Sequence, residues 1–178
     1  MIKRVRLHDK DFELLIAQDK IIKAIANIAQ EIDKDFEGQE PVFLCVLNGS
    51  FIFAADLVRI LKINGTTSFV KITSYDSDKS SGTVRQLIGL NEDLNGKQVI
   101  VIEDVVDSGL TLKWLVEDLK TKGASSVHVA ALLFKPEANE QKVKADYIGF
   151  NIKNDFVVGY GLDYNGLGRN LKDIYKLM

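Results

Sequence analysis

The stretch VIVIEDVVDSGLTL, residues 99–112, decides how the chain folds. Val99, Ile100, Val101 and Ile102 form a continuous apolar run, the pattern of a strand buried on both faces. Asp107-Ser108-Gly109 breaks that run, and LTLKWLVEDLKTKG continues it as a helix closed by Gly123. The same order recurs outward from this unit. Pro41 precedes the buried-type strand VFLCVL, and NGSFIFAADLVRILK follows as turn then helix, with Phe53, Leu57 and Ile60 or Leu61 inward. Ile21, Ile25, Ile28 and Ile32 recur at steps of four, three and four, which predicts a helix over residues 19–36. TSFVKITSY alternates as a strand, and Asn95-Gly96 marks a turn before QVIVIED. SSVHVAALLFK, DYIGF and FVVGYG read as three more strands. Strands alternating with helices give an α/β class with a mostly parallel sheet flanked by helices.

The length of 178 residues suits one domain with a sizeable core. Net charge is -2, so no overall basicity points to nucleic acid or an anionic membrane. An anionic substrate needs local backbone and basic groups instead. The lone Cys45 lies in an apolar run and reads as a small core residue. No signal peptide and no membrane-length apolar segment stands out, so a cytoplasmic protein is the expectation. DSDKSSGTVRQL, residues 76–87, is polar and aperiodic, a long exposed loop or hairpin of the kind that serves as a lid.

In open parallel sheets, ligands bind beyond the carboxyl ends of the strands. Three loops leave such ends: Asn48-Gly49-Ser50, residues 103–111, and Lys135-Pro136. They should converge on one site. The turn Asp107 to Thr111 precedes a helix, whose free N–H groups and positive dipole end favour a phosphate. Gly109 lets the backbone approach closely, and Ser108 and Thr111 add hydroxyls. Neither G-x-x-x-x-G-K-[ST] nor G-x-G-x-x-G is present, which argues against a nucleoside triphosphate or dinucleotide grip. Adjacent strand residues point to opposite faces, so Glu103 and Asp104 share a side only where the chain bends. Two uncompensated buried carboxylates are costly. They make sense against ribose hydroxyls or a Mg²⁺ carrying phosphates. Asp107 alone reads equally well as a helix N-cap.

Five segments, VLNGSFIFAADL, ITSYDSDKSSGTV, VIVIEDVVDSGLTL, LLFKPEAN and FVVGYGLDYNGLGRNL, occur in the order found in the hypoxanthine (hypoxanthine-guanine) phosphoribosyltransferases. The chain resembles that branch of the type I phosphoribosyltransferase family over most of its length. The resemblance implies one phosphoribosyltransferase domain spanning residues 1–178, with a small hood built from both chain ends. It implies a purine-salvage enzyme that transfers the phosphoribosyl group of 5-phosphoribosyl 1-pyrophosphate to hypoxanthine and guanine, giving IMP or GMP plus pyrophosphate. Asp107, Ser108, Gly109, Leu110 and Thr111 would take the 5′-phosphate, and Asp107 would also accept the proton from N7 of the purine. Glu103 and Asp104 would hold ribose hydroxyls directly or through Mg²⁺, and Asp163 would stand near a second Mg²⁺. Asn48 and Gly49 match the pyrophosphate loop, where relatives commonly carry Lys at the position of Asn48. Lys135 would donate to O6 of a 6-oxopurine. Phe156 would stack on the base, Val157 would offer its backbone, and Arg169 would grip pyrophosphate. Ser74 and Tyr75 would open a mobile loop that shields a ribosyl centre from water. Relatives with bulkier residues near Gly166 and Gly168 make that segment a looser match. A homodimer or homotetramer is the implied assembly.

Three other readings compete. A xanthine- or guanine-preferring relative would differ at the base edge. A nucleic-acid-binding regulator on the same fold would show a basic surface. A response-regulator receiver would place its acidic pair near the first strand rather than beyond residue 100. His8, His128 and Trp114 read as packing or surface residues, because neither histidine has a metal-ligand partner at useful spacing.

Overall fold

The computed structural model describes residues 3–75, 83–88 and 92–178. The chain runs β1 (Arg4–Leu7), β2 (Lys10–Ile16), α1 (Gln18–Asp35), β3 (Val42–Leu47), α2 (Phe51–Ile60), β4 (Thr66–Tyr75), β5 (Thr83–Ile88), β6 (Gln98–Val106), α3 (Leu110–Thr121), β7 (Ser126–Phe134), β8 (Tyr147–Asn151), β9 (Val157–Val158) and β10 (Ile174–Leu177). The larger sheet has the order β5-β4-β3-β6-β7-β8. Its neighbours from β4 to β8 pair in parallel, and β5 joins the edge antiparallel. The apolar run at residues 99–102 thus forms the central strand, flanked by β3 and β7.

Both faces of that sheet are covered. Ile21, Ile25, Ile28 and Ile32 of α1 pack on one face with Phe53, Ala54 and Leu57 of α2. Leu112, Leu115 and Leu119 of α3 cover the other. Of the two candidates for the inward position at the end of α2, Leu61 joins the core and Ile60 stays exposed. Helix α3 ends as expected at Gly123, whose φ of 87° permits two returning bonds. Gly123 N–H donates to the Lys120 carbonyl at 3.0 Å and Ala124 N–H to the Leu119 carbonyl at 3.1 Å, the Schellman arrangement. Cys45 is fully buried, and burial pushes its thiol up to about 12. His128 packs edge-on against Phe36, and Trp114 packs on the α3 side of the sheet. Among the described residues no helix is long and apolar enough to cross a membrane.

The hood is a second sheet of order β1-β2-β10-β9, antiparallel throughout, so both chain ends do build it. FVVGYG gives only the short strand Val157–Val158 before the chain turns through Gly159 and Gly161. Strands β4 and β5 pair antiparallel as the arms of a hairpin, while residues 76–82 between them, the centre of the segment expected to act as a lid, lie outside the described residues. Ser74 and Tyr75 end β4, and their side chains lie outside the description too.

Asp173 ties the hood to the helical layer. Its carboxylate accepts the Gln18 N–H at 2.9 Å at the start of α1 and the Tyr175 hydroxyl at 3.1 Å, and it pairs with Lys3. The Lys3 ammonium, ahead of those two bonds, holds the Asp173 carboxyl below its usual range. A depressed carboxyl stabilises the fold above its unfolded value and loses that contribution as pH falls through the folded value. Asp173→Asn should therefore lower the urea midpoint at pH 7. The gap to wild type should close below about pH 4, the ordinary range of an unfolded Asp. A gap that stays constant with pH would rule out this anchoring role.

Candidate active site

The carboxyl ends of β3, β6 and β7 meet as predicted. On β6 the side-chain alternation slips between Ile102 and Val105. Ile100, Ile102 and Val105 face the α1 and α2 layer, while Val99, Val101 and Val106 face α3. The slip falls on Glu103 and Asp104, the two adjacent carboxylates at the carboxyl end of the strand. Each carboxylate accepts the N–H that follows it. Asp104 N–H donates to Glu103 Oε1 at 3.2 Å, and Val105 N–H donates to Asp104 Oδ1 at 3.0 Å.

Asp104 is buried, and the β3 loop lies directly over it. A Cβ built on Gly49 would overlap the Asp104 carboxylate, so only glycine lets the two loops touch. The Leu47–Asn48 peptide at this loop is cis. Asn48 itself is exposed and starts a turn in which Phe51 N–H reaches its carbonyl at 3.4 Å. Ser50 is fully buried and donates its hydroxyl to the Val46 carbonyl at 2.6 Å, which closes the end of β3. A Cβ on Gly161 would in turn collide with the Gly49 carbonyl. Arg169 donates to the Gly161 carbonyl at 2.6 Å and pairs with Asp163 at 2.6 Å. The other Asp163 oxygen accepts Gly166 N–H at 2.7 Å. The residues assigned to pyrophosphate thus form one connected cluster around Gly49.

The turn after β6 encloses a small cavity of about 100 Å³, lined by Glu103, Asp107, Ser108, Gly109, Leu110 and Thr111 among others. Gly109, not Asp107, is the N-cap of α3, and its φ of 80° suits glycine alone. This excludes the cap role for Asp107. Its carboxylate instead meets Lys135 Nζ at 2.7 Å. Lys135 is buried rather than a solvated lysine at a strand end, while the Asp107 side chain is half exposed. Larger clefts of about 540 and 610 Å³ lie elsewhere on the surface, and none of the predicted residues lines them. Chemistry, not size, picks out the site.

Asn139 was not singled out in the sequence, although it belongs to the LLFKPEAN segment. Its amide clamps Val143 both ways, donating to the carbonyl at 2.9 Å and accepting the N–H at 3.1 Å. Its Oδ1 lies 2.6 Å from where a Cβ on Gly109 would be. Gln141 N–H also donates to the Ser108 carbonyl at 3.2 Å. The loop after Lys135 is therefore laid against the turn of residues 107–111. Phe156 and Val157 stand on the hood, Phe156 with 47% of its surface open and Val157 buried in β9.

Burial, and then the neighbouring Asp104 charge, raises the Glu103 carboxyl well above its usual range. Neither carboxylate has an ion-pair partner among the described residues. No cluster of three or more metal-ligating side chains exists among those residues. A pair of oxygen donors without a closed cage fits Mg²⁺, which keeps waters and substrate phosphates around one or two carboxylates.

Two outcomes follow from this geometry. Gly49→Ala should cost about 1–3 kcal/mol in urea unfolding, and Asp104→Ala in the same chain should recover most of it. Additive losses would mean the two residues do not press on each other. A raised carboxyl costs stability as pH climbs from the ordinary unfolded value of about 4.3 through the folded one. Glu103→Gln should therefore flatten the metal-free stability profile above about pH 4.3, and an unchanged slope would refute the assignment.

The phosphoribosyl transferase domain family matches residues 13–165. The hypoxanthine-guanine phosphoribosyltransferase of Mycobacterium avium is 42% identical over 168 residues, covering 90% of this chain and 83% of that protein. The crystal structure of a hypoxanthine-guanine phosphoribosyltransferase from Bacillus anthracis superposes with a TM-score of 0.87 at 36% identity, over 100% of this chain and 99% of that one. A hypoxanthine phosphoribosyltransferase from Trypanosoma cruzi, solved as a Lys-to-Arg variant in a ternary complex with substrates, gives a TM-score of 0.86 at 36% identity, over 93% and 94% of the two chains.

Proposed function

Because the chain belongs to the phosphoribosyl transferase domain family, we propose that it transfers the phosphoribosyl group of 5-phosphoribosyl 1-pyrophosphate to N9 of hypoxanthine or guanine. The products are IMP or GMP and pyrophosphate, which makes the enzyme part of purine salvage. The observation that carries the base assignment is the contact of Lys135 Nζ with Asp107 Oδ2 at 2.7 Å. A 6-oxopurine presents O6 and N7 side by side on one edge. An ammonium with three donors beside a carboxylate matches that edge, with Lys135 on O6 and Asp107 on N7. Adenine fits poorly, since its 6-amino group would set donors against a donor.

The rest of the site divides the work. Backbone N–H groups and hydroxyls of residues 107–111 hold the 5′-phosphate at the start of α3. Glu103 and Asp104 would hold the ribose hydroxyls and one Mg²⁺, and Asp163 would serve a second. Mg²⁺ held there would supply positive charge to offset that of the departing pyrophosphate. Asn48, Gly49 and Arg169 receive that group, with Asn48 supplying no charge. Phe156 stacks on the base and the Val157 backbone meets its edge. The bond from C1 to pyrophosphate breaks, the bond from N9 to C1 forms with inversion, and the N7 proton passes to Asp107. The arm ending at Ser74 and Tyr75 closes over the ribosyl centre and keeps water out. The enzyme is proposed to act as one domain over residues 1–178, in the cytoplasm, as a homodimer or homotetramer. Nucleic acid and membranes are not proposed partners.

A spectrophotometric assay with Mg²⁺, 5-phosphoribosyl 1-pyrophosphate and each of hypoxanthine, guanine, xanthine and adenine tests this reading. Hypoxanthine or guanine should be consumed only with Mg²⁺ present, and Asp107→Asn should lower kcat by roughly 10²–10⁴-fold. Turnover of xanthine alone would overturn the base assignment, and an unimpaired Asp107→Asn would overturn its role as base.

A further inference from the structure

Around Phe156 the hood carries further aromatic rings, Phe12 and Tyr164, that the catalytic assignments leave unused. Phe156 has two aromatic supports. Phe12 lies behind it at 6.4 Å between ring centroids, and Tyr164 meets it at 5.9 Å with the rings at 84°. The second arrangement is edge-to-face, one of the preferred geometries of aromatic pairs. Tyr164 is itself held from several directions by the N-terminal hairpin. Its hydroxyl donates to Asp9 Oδ1 at 3.0 Å. Lys10 Nζ lies 4.8 Å from its ring centroid, within cation–π range. The His8 ring stands edge-on to it at 5.7 Å, and His8 Nε2 lies 3.2 Å from the Asn165 carbonyl. The backbone of Tyr164 is fixed by mutual hydrogen bonds with Leu167 at 2.9 and 3.1 Å.

Three consecutive residues of the β1–β2 turn thus converge on one ring, and that ring abuts the half-exposed Phe156. We infer that Tyr164 is a positioning residue for the purine, holding the Phe156 ring for stacking, and that the His8–Lys10 turn holds Tyr164 in place. This rests on the proposal that Phe156 stacks on the base. Tyr164 touches no reacting atom, so its loss should weaken purine binding and leave the chemistry and the phosphate grip alone. The N-terminal hairpin then belongs to the purine subsite although it lies some 150 residues from Phe156 in sequence.

The test compares wild type, Tyr164→Leu and Tyr164→Phe in steady-state kinetics, with calorimetric binding of IMP measured on the same proteins. Tyr164→Leu should raise the KM for hypoxanthine and the Kd for IMP roughly tenfold. Its kcat and its KM for 5-phosphoribosyl 1-pyrophosphate should stay within about twofold. Tyr164→Phe, which keeps the ring and loses only the Asp9 bond, should restore most of the affinity. Unchanged purine constants in Tyr164→Leu would overturn the inference, and so would a parallel decline of all constants. Wild type that binds IMP but does not turn over would sink the proposed activity alone, because the IMP constants still decide the role of Tyr164. Wild type that neither binds IMP nor turns over would sink both.

Discussion

Two adjacent carboxylates at the end of a buried strand repel each other and lose water, and the rest of the site depends on how the fold tolerates that. Burial and the neighbouring charge both push the Glu103 carboxyl up, so the isolated pair is poorly satisfied. The strand adapts by slipping its alternation at this point, and the carboxylates accept the N–H groups that follow them. The β3 loop adapts by having no side chain at Gly49, which lets its backbone rest on Asp104. No lysine or arginine pairs with it among the described residues, which suits it to the proposed divalent cation and ribose hydroxyls.

From that pair the site extends in two directions. Through Gly49 it reaches the Gly161 backbone, Arg169 and Asp163, the groups proposed to receive pyrophosphate. Along β6 it reaches the turn proposed to hold the 5′-phosphate and, across to β7, the buried Lys135. Under the proposed roles, the groups for the leaving pyrophosphate and those for the base flank the carboxylate pair from these two directions, and holding both reactants in a fixed geometry is what the transfer needs. Asn139 lays the β7 loop against Gly109 and so ties the loop after Lys135 to the turn of residues 107–111.

Much of this was legible in the sequence because it rests on local pattern. The apolar runs at 42–47 and 99–102 became central strands, the isoleucines of α1 line one face, and Gly123 ends α3. The convergence of three loops followed from their places at strand ends. Other features depend on contacts between distant residues, which no local pattern carries. The cap of α3 is Gly109, next to the first helical residue, while Asp107 lies two residues further out and pairs with Lys135, 28 residues away. The burial of Lys135 was hidden for the same reason. The hood was expected from family resemblance alone, since its strands are short, come from opposite chain ends and show no clear period. Gly161 lies in FVVGYG, which reads as a strand, and only its approach to the Gly49 carbonyl shows why no larger residue fits there.

The most direct test of the central claim is a crystal structure of the enzyme with IMP and Mg²⁺. It should show the 5′-phosphate in the turn of residues 107–111, Lys135 Nζ on O6, Asp107 on N7 and the metal beside Glu103 and Asp104. A nucleotide bound elsewhere, or bound there with its base turned away from Lys135 while Mg²⁺ avoids both carboxylates, would contradict it.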